Sequence, residues 1–210
     1  IERIRLGSLD PDMLHAEDIR RMAAVKKLCP QFHLSLQSGC DKTLRTMRRP
    51  YTTAQYADIA AQLRQAFGAE NVSFTTDVIV GFPGETEEDF EASMDFVTGM
   101  RFLKVHVFPY SRREGTPAAA MPDQITKQVK EERARRAGAV AQALFEQYHT
   151  AMLGTRVPVL FEQVEGGLST GHAPNGAKVY AEGEALHNQI RTVRLERLYR
   201  EGLLGTLCGD

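Results

Sequence analysis

Two textures divide the chain. Up to about Gly154, short stretches alternating apolar and polar residues take turns with longer stretches in which apolar residues recur every three or four positions. This is the pattern of βα units and of a parallel sheet with helices on it, and so of an α/β fold. The alternation predicts strands over Glu2 to Ser8, Phe32 to Ser38, Val72 to Val80 and Phe102 to Phe108. The helical spacing predicts helices over Ala16 to Leu28, over Thr53 to Phe67, and from Thr86, where TEEDF puts acidic residues in the first turn. From Gln124 to Met152 one long helix is predicted, interrupted only by Gly138, with the look of a strut. Beyond Gly154 the pattern changes to RVPVLFEQV, GGLSTGHA, AKVYAEGEAL, IRTVRLERLY and LLGTLC, separated by GG, PNG and EG turn signals. Closely spaced short strands with such turns predict a small, self-contained β-barrel, and the boundary falls so that residues 1–152 and 153–210 form two domains.

Strand parity locates the chemistry. One face of the four predicted strands carries Arg3 and Arg5, then His33, Ser35 and Gln37, then Ser73, Thr75 and Asp77, then Lys104 and His106. The other face carries Ile4, Leu6, Phe32, Leu34, Leu36, Phe74, Val78, Val80, Leu103, Val105 and Val107, and belongs under the helices. Parallel strands covered on both sides read as continuous apolar runs, so a consistently polar second face predicts a lumen that holds a polar ligand. The competing reading is a face that is merely wet, or whose residues pair with one another. Barrel enzymes work at strand carboxyl ends, which here are Gly7-Ser8, Gln37 to Cys40, Gly81 to Glu85, and Pro109 to Ser111.

Charge narrows the function classes only a little. The 210 residues carry 26 Lys plus Arg against 27 Asp plus Glu, so no global basic field announces nucleic acid and any RNA contact must be local. Two local surfaces qualify: Arg191, Arg194, Arg197 and Arg200 beside Tyr199 in the tail, and Lys42, Arg45, Arg48 and Arg49 beyond the QSGC loop. On a regular strand Arg191 and Arg197 share one face while Arg194 and Arg200 share the other. Ordinary solvated charge is the alternative, since the tail holds six Lys plus Arg against seven Asp plus Glu. The three cysteines, Cys29, Cys40 and Cys208, lie far apart; they suit a reducing, cytoplasmic setting and make neither a disulfide framework nor a metal motif. No apolar run is long enough to cross a membrane. The chain opens on IERIRLGS without an initiator Met and is read as part of a larger protein.

LSLQSGCDKTLRTMRRPYT, TDVIVGFPGETEEDF and HVFPYSRREGTPAAAMPDQI together resemble the second half of a radical S-adenosylmethionine methylthiotransferase, and the β-rich tail is similar to the TRAM domain that ends such enzymes. QSGCD and HVFPYSRREGTPAA resemble more narrowly the subfamily acting on threonylcarbamoyladenosine in tRNA. The resemblance implies the second half of a partial (β/α)6 barrel, S-adenosylmethionine as cofactor, two [4Fe–4S] clusters with ligands outside this chain, tRNA as substrate, and a reductant protein as partner, with no role for DNA or a membrane. It also implies radical chemistry in which a 5′-deoxyadenosyl radical abstracts hydrogen from an adenosine carbon. No CxxxCxxC occurs in the chain, so no metal ligand is assigned. Within that frame, parity and strand-end position nominate Gln37, Asp77, Gly81 and Tyr110 for the cofactor. They nominate Arg5 and His106 for substrate or carboxylate groups, and Arg191, Arg194 and Arg197 for tRNA. A non-catalytic RNA-binding or scaffold protein keeping half a barrel and the tail remains the alternative.

Overall fold

A computed structural model describes residues 1–209. Four parallel strands, β1 (Ser8–Leu9), β2 (Gln31–Leu34), β3 (Ser73–Val80) and β4 (Lys104–Pro109), lie side by side in chain order. The connections carry α1 (Ala16–Ala23), α2 (Asp41–Thr46), α3 (Thr53–Phe67) and α4 (Glu87–Gly99). Thr52 and Thr86 cap α3 and α4 through reciprocal bonds with Gln55 and Asp89, which fixes where both helices begin. All the helices meet one side of the sheet, where Phe32, Leu34, Leu36, Phe74, Val78 and Phe102 are fully or almost fully buried among Tyr56, Leu63 and Phe90. Thr76 is the polar residue on this apolar side. Its hydroxyl donates to Leu34 O at 2.6 Å and accepts from Leu36 N at 3.0 Å, so it serves the backbone where β2 leaves the ladder.

The first strand departs from the expectation. Within residues 2–8 the only pairings are Ile4 with Leu28 and Ser8 with His33. Between them this segment advances from 4 to 8 while its partner advances from 28 to 33, and Pro30, which lacks an N–H, lies in that interval. A continuous ladder is impossible across such a slip. The same pairing draws 24–28 out of the helix predicted there, because Ile4 N donates to Lys27 O and Cys29 N donates to Ile4 O, both at 2.8 Å.

The long helix, α5 (Lys127–Ala151), passes through Gly138 unbroken, and at 25 residues spans about 37 Å. It starts near the carboxyl ends of the sheet and delivers the chain to the amino ends. There β5 (Arg156–Glu165), β6 (Leu168–His172), β7 (Lys178–Ala181), β8 (Ile190–Tyr199) and β9 (Gly202–Leu207) close a barrel in the order β5-β6-β7-β9-β8. Its core is Val159, Phe161, Val179, Val193, Leu195 and Leu203, each without solvent exposure. A bulge in β8 between Leu195 and Arg197 overturns the expected facing of the arginines: Arg194 pairs with Thr206 and Arg197 with Leu204, two residues on one outer face. Arg191 pairs with buried Val159 and lies on the other face.

The tail barrel is seated on the amino ends of the parallel strands. Arg3 donates to the carbonyls of His172 at 2.8 Å and Pro158 at 2.9 Å, and Ser73 Oγ donates to Asn175 O at 2.5 Å. Asn175 Nδ2 reaches Tyr148 Oη at 3.2 Å, and Leu103 packs on Ala173 and Ala177.

The tightest backbone approach in the barrel is at Gly171. A Cβ on Gly171 would lie 1.9 Å from Leu160 O across the bulged β5–β6 ladder. Gly171→Ala should therefore cost at least about 2 kcal/mol of stability, read as a lower urea midpoint followed by circular dichroism. A midpoint equal to the parent's would show that the bulge yields freely.

Candidate functional site

The lumen face is built in rungs. Ladder partners in a parallel sheet project to the same side, so the pairs Thr75–Lys104, Asp77–His106 and Ile79–Phe108 stack from the amino toward the carboxyl ends. His33 joins them from β2: its Nδ1 lies 3.0 Å from Thr75 Oγ1, its Nε2 approaches Asp77 Oδ2 at 3.5 Å, and its ring centroid is 6.2 Å from that of His106. His33, Asp77 and His106 are all half-buried. The polar face predicted from alternation is thus a contiguous set of groups, not isolated surface positions.

Desolvation pulls the His106 imidazole below its ordinary range, with Lys104 and His33 adding in the same direction and Asp77 opposing. Near neutral pH His106 is therefore an uncharged ring that offers one donor and one acceptor. At the carboxyl end of this face Phe108 is 50% exposed beside Ile79, an apolar rung that listing polar residues alone had missed.

Gln37 is where β2 turns out of its ladder. Its φ is +66°, a left-handed backbone costly for a residue with a side chain, held by Gln37 N donating to Asp77 O and Ile79 N donating to Gln37 O, each at 2.9 Å. Gly39 cannot carry a side chain, because a Cβ there would lie 2.6 Å from Ser93 O, and its N–H donates to Ser93 Oγ. The QSGC loop is thus clamped to α4. Cys40 Sγ is 3.6 Å from Asp89 Oδ1, whose carboxylate Lys42 also holds.

The loop after β3 is held by a buried ion pair that the sequence reading did not identify. Glu85 Oε1 accepts from Gly81 N at 2.8 Å and from Arg133 Nη1 at 2.7 Å, and the same Nη1 donates to Glu85 O at 3.0 Å. Both residues are 5% exposed. Burial pushes the Glu85 carboxyl up, against the opposing effect of the Gly81 N–H and Arg133. The Gly81 N–H is thereby committed within the loop, and its Cα packs on Lys130, so Gly81 shapes this turn rather than offering its own N–H to a ligand. Lys130 Nζ in turn donates to Tyr110 O at 3.0 Å. Tyr110 packs edge-on against Phe82, and its hydroxyl is buried with no partner.

The structure brings Asp77 and His106 together on the lumen face, whereas Gln37 lies at the strand-end turn, bridged to Val78, and Gly81 and Tyr110 lie on the carboxyl-end loops. Arg5 adjoins the amino end of this face: its Nη2 lies 3.4 Å from Ala173 O, at a cavity of about 260 Å³ where tail and sheet meet, lined also by Thr75, Lys104, His149 and Lys178. Arg191, Arg194 and Arg197 are on the tail barrel, at the opposite end of the molecule from the strand carboxyl ends. Among the described residues no group of three His, Cys, Asp or Glu side chains could hold a metal ion, so these residues do not fit an iron–sulfur cluster. Half-buried Asp77 and His106 offer polar groups on the lumen face to an organic cofactor, and Tyr110 has a buried hydroxyl that lacks a partner. No helix among the described residues is long and apolar enough to cross a membrane.

The electrostatics of the rungs can be measured directly. A proton NMR titration should give His106 a midpoint below about 6.5. Lys104→Gln should raise it and Asp77→Asn should lower it further. Insensitivity to both substitutions would mean that the three groups do not face one another.

Residues 2–97 match the radical SAM superfamily. The chain is 38% identical over 209 residues to the threonylcarbamoyladenosine tRNA methylthiotransferase MtaB of Chlamydia pneumoniae, covering 99% of this chain and 49% of that protein. It is 39% identical over 217 residues to a tRNA-2-methylthio-N(6)-dimethylallyladenosine synthase of Maricaulis maris, covering 100% of this chain and 46% of that one. The chain thus spans about half the length of the curated relatives it matches. Among solved structures, coproporphyrinogen III oxidase HemN of Escherichia coli, a radical SAM enzyme, aligns with a TM-score of 0.58 over 93% of this chain and 46% of its own. At 14% identity that likeness concerns the fold alone. Residues 2–97 are thus the radical SAM region of a chain that is similar over its whole length to tRNA methylthiotransferases.

Proposed function

We propose that the chain forms the cofactor- and RNA-contacting part of a tRNA methylthiotransferase that places a methylthio group on adenosine carbon 2 of threonylcarbamoyladenosine. The observation that carries the reading is the contiguous polar face His33, Thr75, Asp77 and His106, ending in the strained Gln37 turn, where a barrel enzyme holds its ligand. In this reading the four-stranded sheet is the second half of a partial (β/α)6 barrel and the closed tail is TRAM-like. The ligands of two [4Fe–4S] clusters come from residues beyond these 210. S-adenosylmethionine, bound with its cluster, supplies radical chemistry at an otherwise unreactive C–H bond.

The chain's own residues position and insulate. Asp77 accepts hydrogen bonds from ribose hydroxyls or the methionine ammonium, the Gln37 amide reaches the same part, and the Tyr110 hydroxyl gains its missing partner on the adenine side. His106, neutral, meets a substrate group without adding charge to the lumen. Arg5 lies at the amino end and is not retained as a substrate contact. Arg194 and Arg197 on one face of the tail, with Arg191 on the other, contact tRNA, and Arg45, Arg48 and Arg49 line the rim near the target nucleotide. A cytoplasmic setting, a protein reductant and the absence of any DNA partner complete the proposal. The two curated relatives are almost equally similar, so the choice of threonylcarbamoyladenosine rests on QSGCD and HVFPYSRREGTPAA.

In the longer protein that contains this chain, reconstituted anaerobically with iron and sulfide, tRNA bearing threonylcarbamoyladenosine should gain a methylthio group, detected by mass spectrometry of digested nucleosides. Product from dimethylallyladenosine tRNA instead would overturn the substrate choice. Asp77→Ala should weaken S-adenosylmethionine binding by about 1.5–3 kcal/mol, roughly 10- to 150-fold, while leaving tRNA affinity unchanged. Equal cofactor binding by a folded mutant would remove Asp77 from the site.

A further inference from the structure

Arg156 and Arg194 are direct cross-strand partners on β5 and β8, and both are exposed. Like charges placed directly opposite one another in an antiparallel pair destabilise the sheet. Among the described residues neither guanidinium has a carboxylate within ion-pairing distance. The nearby acid on this face, Glu196, accepts from Thr206 Oγ1 at 3.0 Å, and Thr206 is the partner of Arg194 on β9. The β8 bulge brings Arg197 onto the same outer face, and its guanidinium lies over the Tyr199 ring at 5.3 Å. The barrel therefore aligns three arginines on one face and leaves the central pair without compensating charge. Such an arrangement suits an anion with several oxygens at fixed spacing, and paired guanidinium forks match a phosphodiester.

We propose that Arg156 and Arg194 form a two-pronged clamp for the RNA backbone, gripping one phosphate, with Arg156 a contact residue that the tail's arginine-rich segment does not include. The proposal rests on the tRNA reading above and adds to it the group bound and the residue that shares it. An acidic protein partner is the competing occupant. It is disfavoured because the chain's relatives are named for tRNA substrates and because Tyr199, ringed by Arg197 and by Arg200 at 5.2 Å, offers an aromatic face beside the clamp.

The clamp makes stability and affinity move in opposite directions, which a structural pair of arginines would not do. Binding of the 210-residue chain to an unmodified tRNA transcript is measured by fluorescence anisotropy across a salt series for the parent, Arg156→Ala, Arg156→Glu, Arg194→Ala and the double alanine variant, with thermal melting of each free protein. Each alanine variant should bind about fivefold or more weakly at moderate salt, with a salt slope shallower by roughly one. The double variant should lose less than the product of the two single losses, because both prongs serve one group. Arg156→Glu, which turns the like pair into an opposite pair, should bind weakest yet melt about 1–2 °C higher than the parent.

A parent that binds tRNA while every variant matches it in affinity and slope would overturn the clamp and leave the tRNA reading standing. A parent that does not bind tRNA would overturn both. Arg156→Glu melting below the parent would assign Arg156 a structural role. Polyglutamate displacing tRNA at equal charge concentration would assign the face to an acidic protein.

Discussion

The arrangement of the carboxyl-end loops depends on a carboxylate and a guanidinium taken out of water together. Bringing Glu85 and Arg133 into the protein costs desolvation of both, and the pair tolerates it because each charge is met by several hydrogen-bonding groups. The acid also takes the Gly81 N–H, and the arginine also reaches the Glu85 carbonyl and Glu87. A buried pair of this kind adds little net stability over a well-packed apolar substitute, but it has only one good register. It thereby fixes which turn of α5 lies over the β3 loop, and with it Lys130 against Gly81 and Tyr110. Removing either partner would leave the other charge buried without a counterion, a loss of about 3–5 kcal/mol.

The same helix sets the long dimension of the molecule. Held at its start by Arg133 and Arg136 on Glu85 and Glu87, α5 ends at Tyr148 and Met152 against the Asn175 turn of the tail. The candidate cofactor residues and the tail arginines therefore sit at opposite ends of a rod roughly 37 Å long. An RNA that engages both must extend along the protein.

Much of this was legible in the residues because the governing physics is local. Alternation in Phe32 to Gln37 and Phe74 to Val80 reports which side is dry, and the buried positions follow it closely. The threonines at 52 and 86 announce their helices. What was not legible depends on partners distant in sequence. The arginine that meets Glu85 lies 48 residues away, and nothing in EERARR distinguishes Arg133 from its neighbours. Arg5 fits the lumen parity, but the slip at Pro30 and the carbonyls of the tail decide where it goes. The β8 bulge is likewise a property of the pairing with β9, invisible in IRTVRLERLY itself, and it changes which arginines share a face.

The seat of the tail has a consequence for how the chain folds. Arg3 meets the carbonyls of His172 and Pro158 at sequence separations of 169 and 155, and Ser73 meets Asn175 at a separation of 102. Contacts of such high sequence separation pay their loop-closure entropy before they return any stability, whereas the hairpins of the barrel and the βα units close through near neighbours. The seam between the two parts therefore carries a larger loop-closure cost than the contacts within either part.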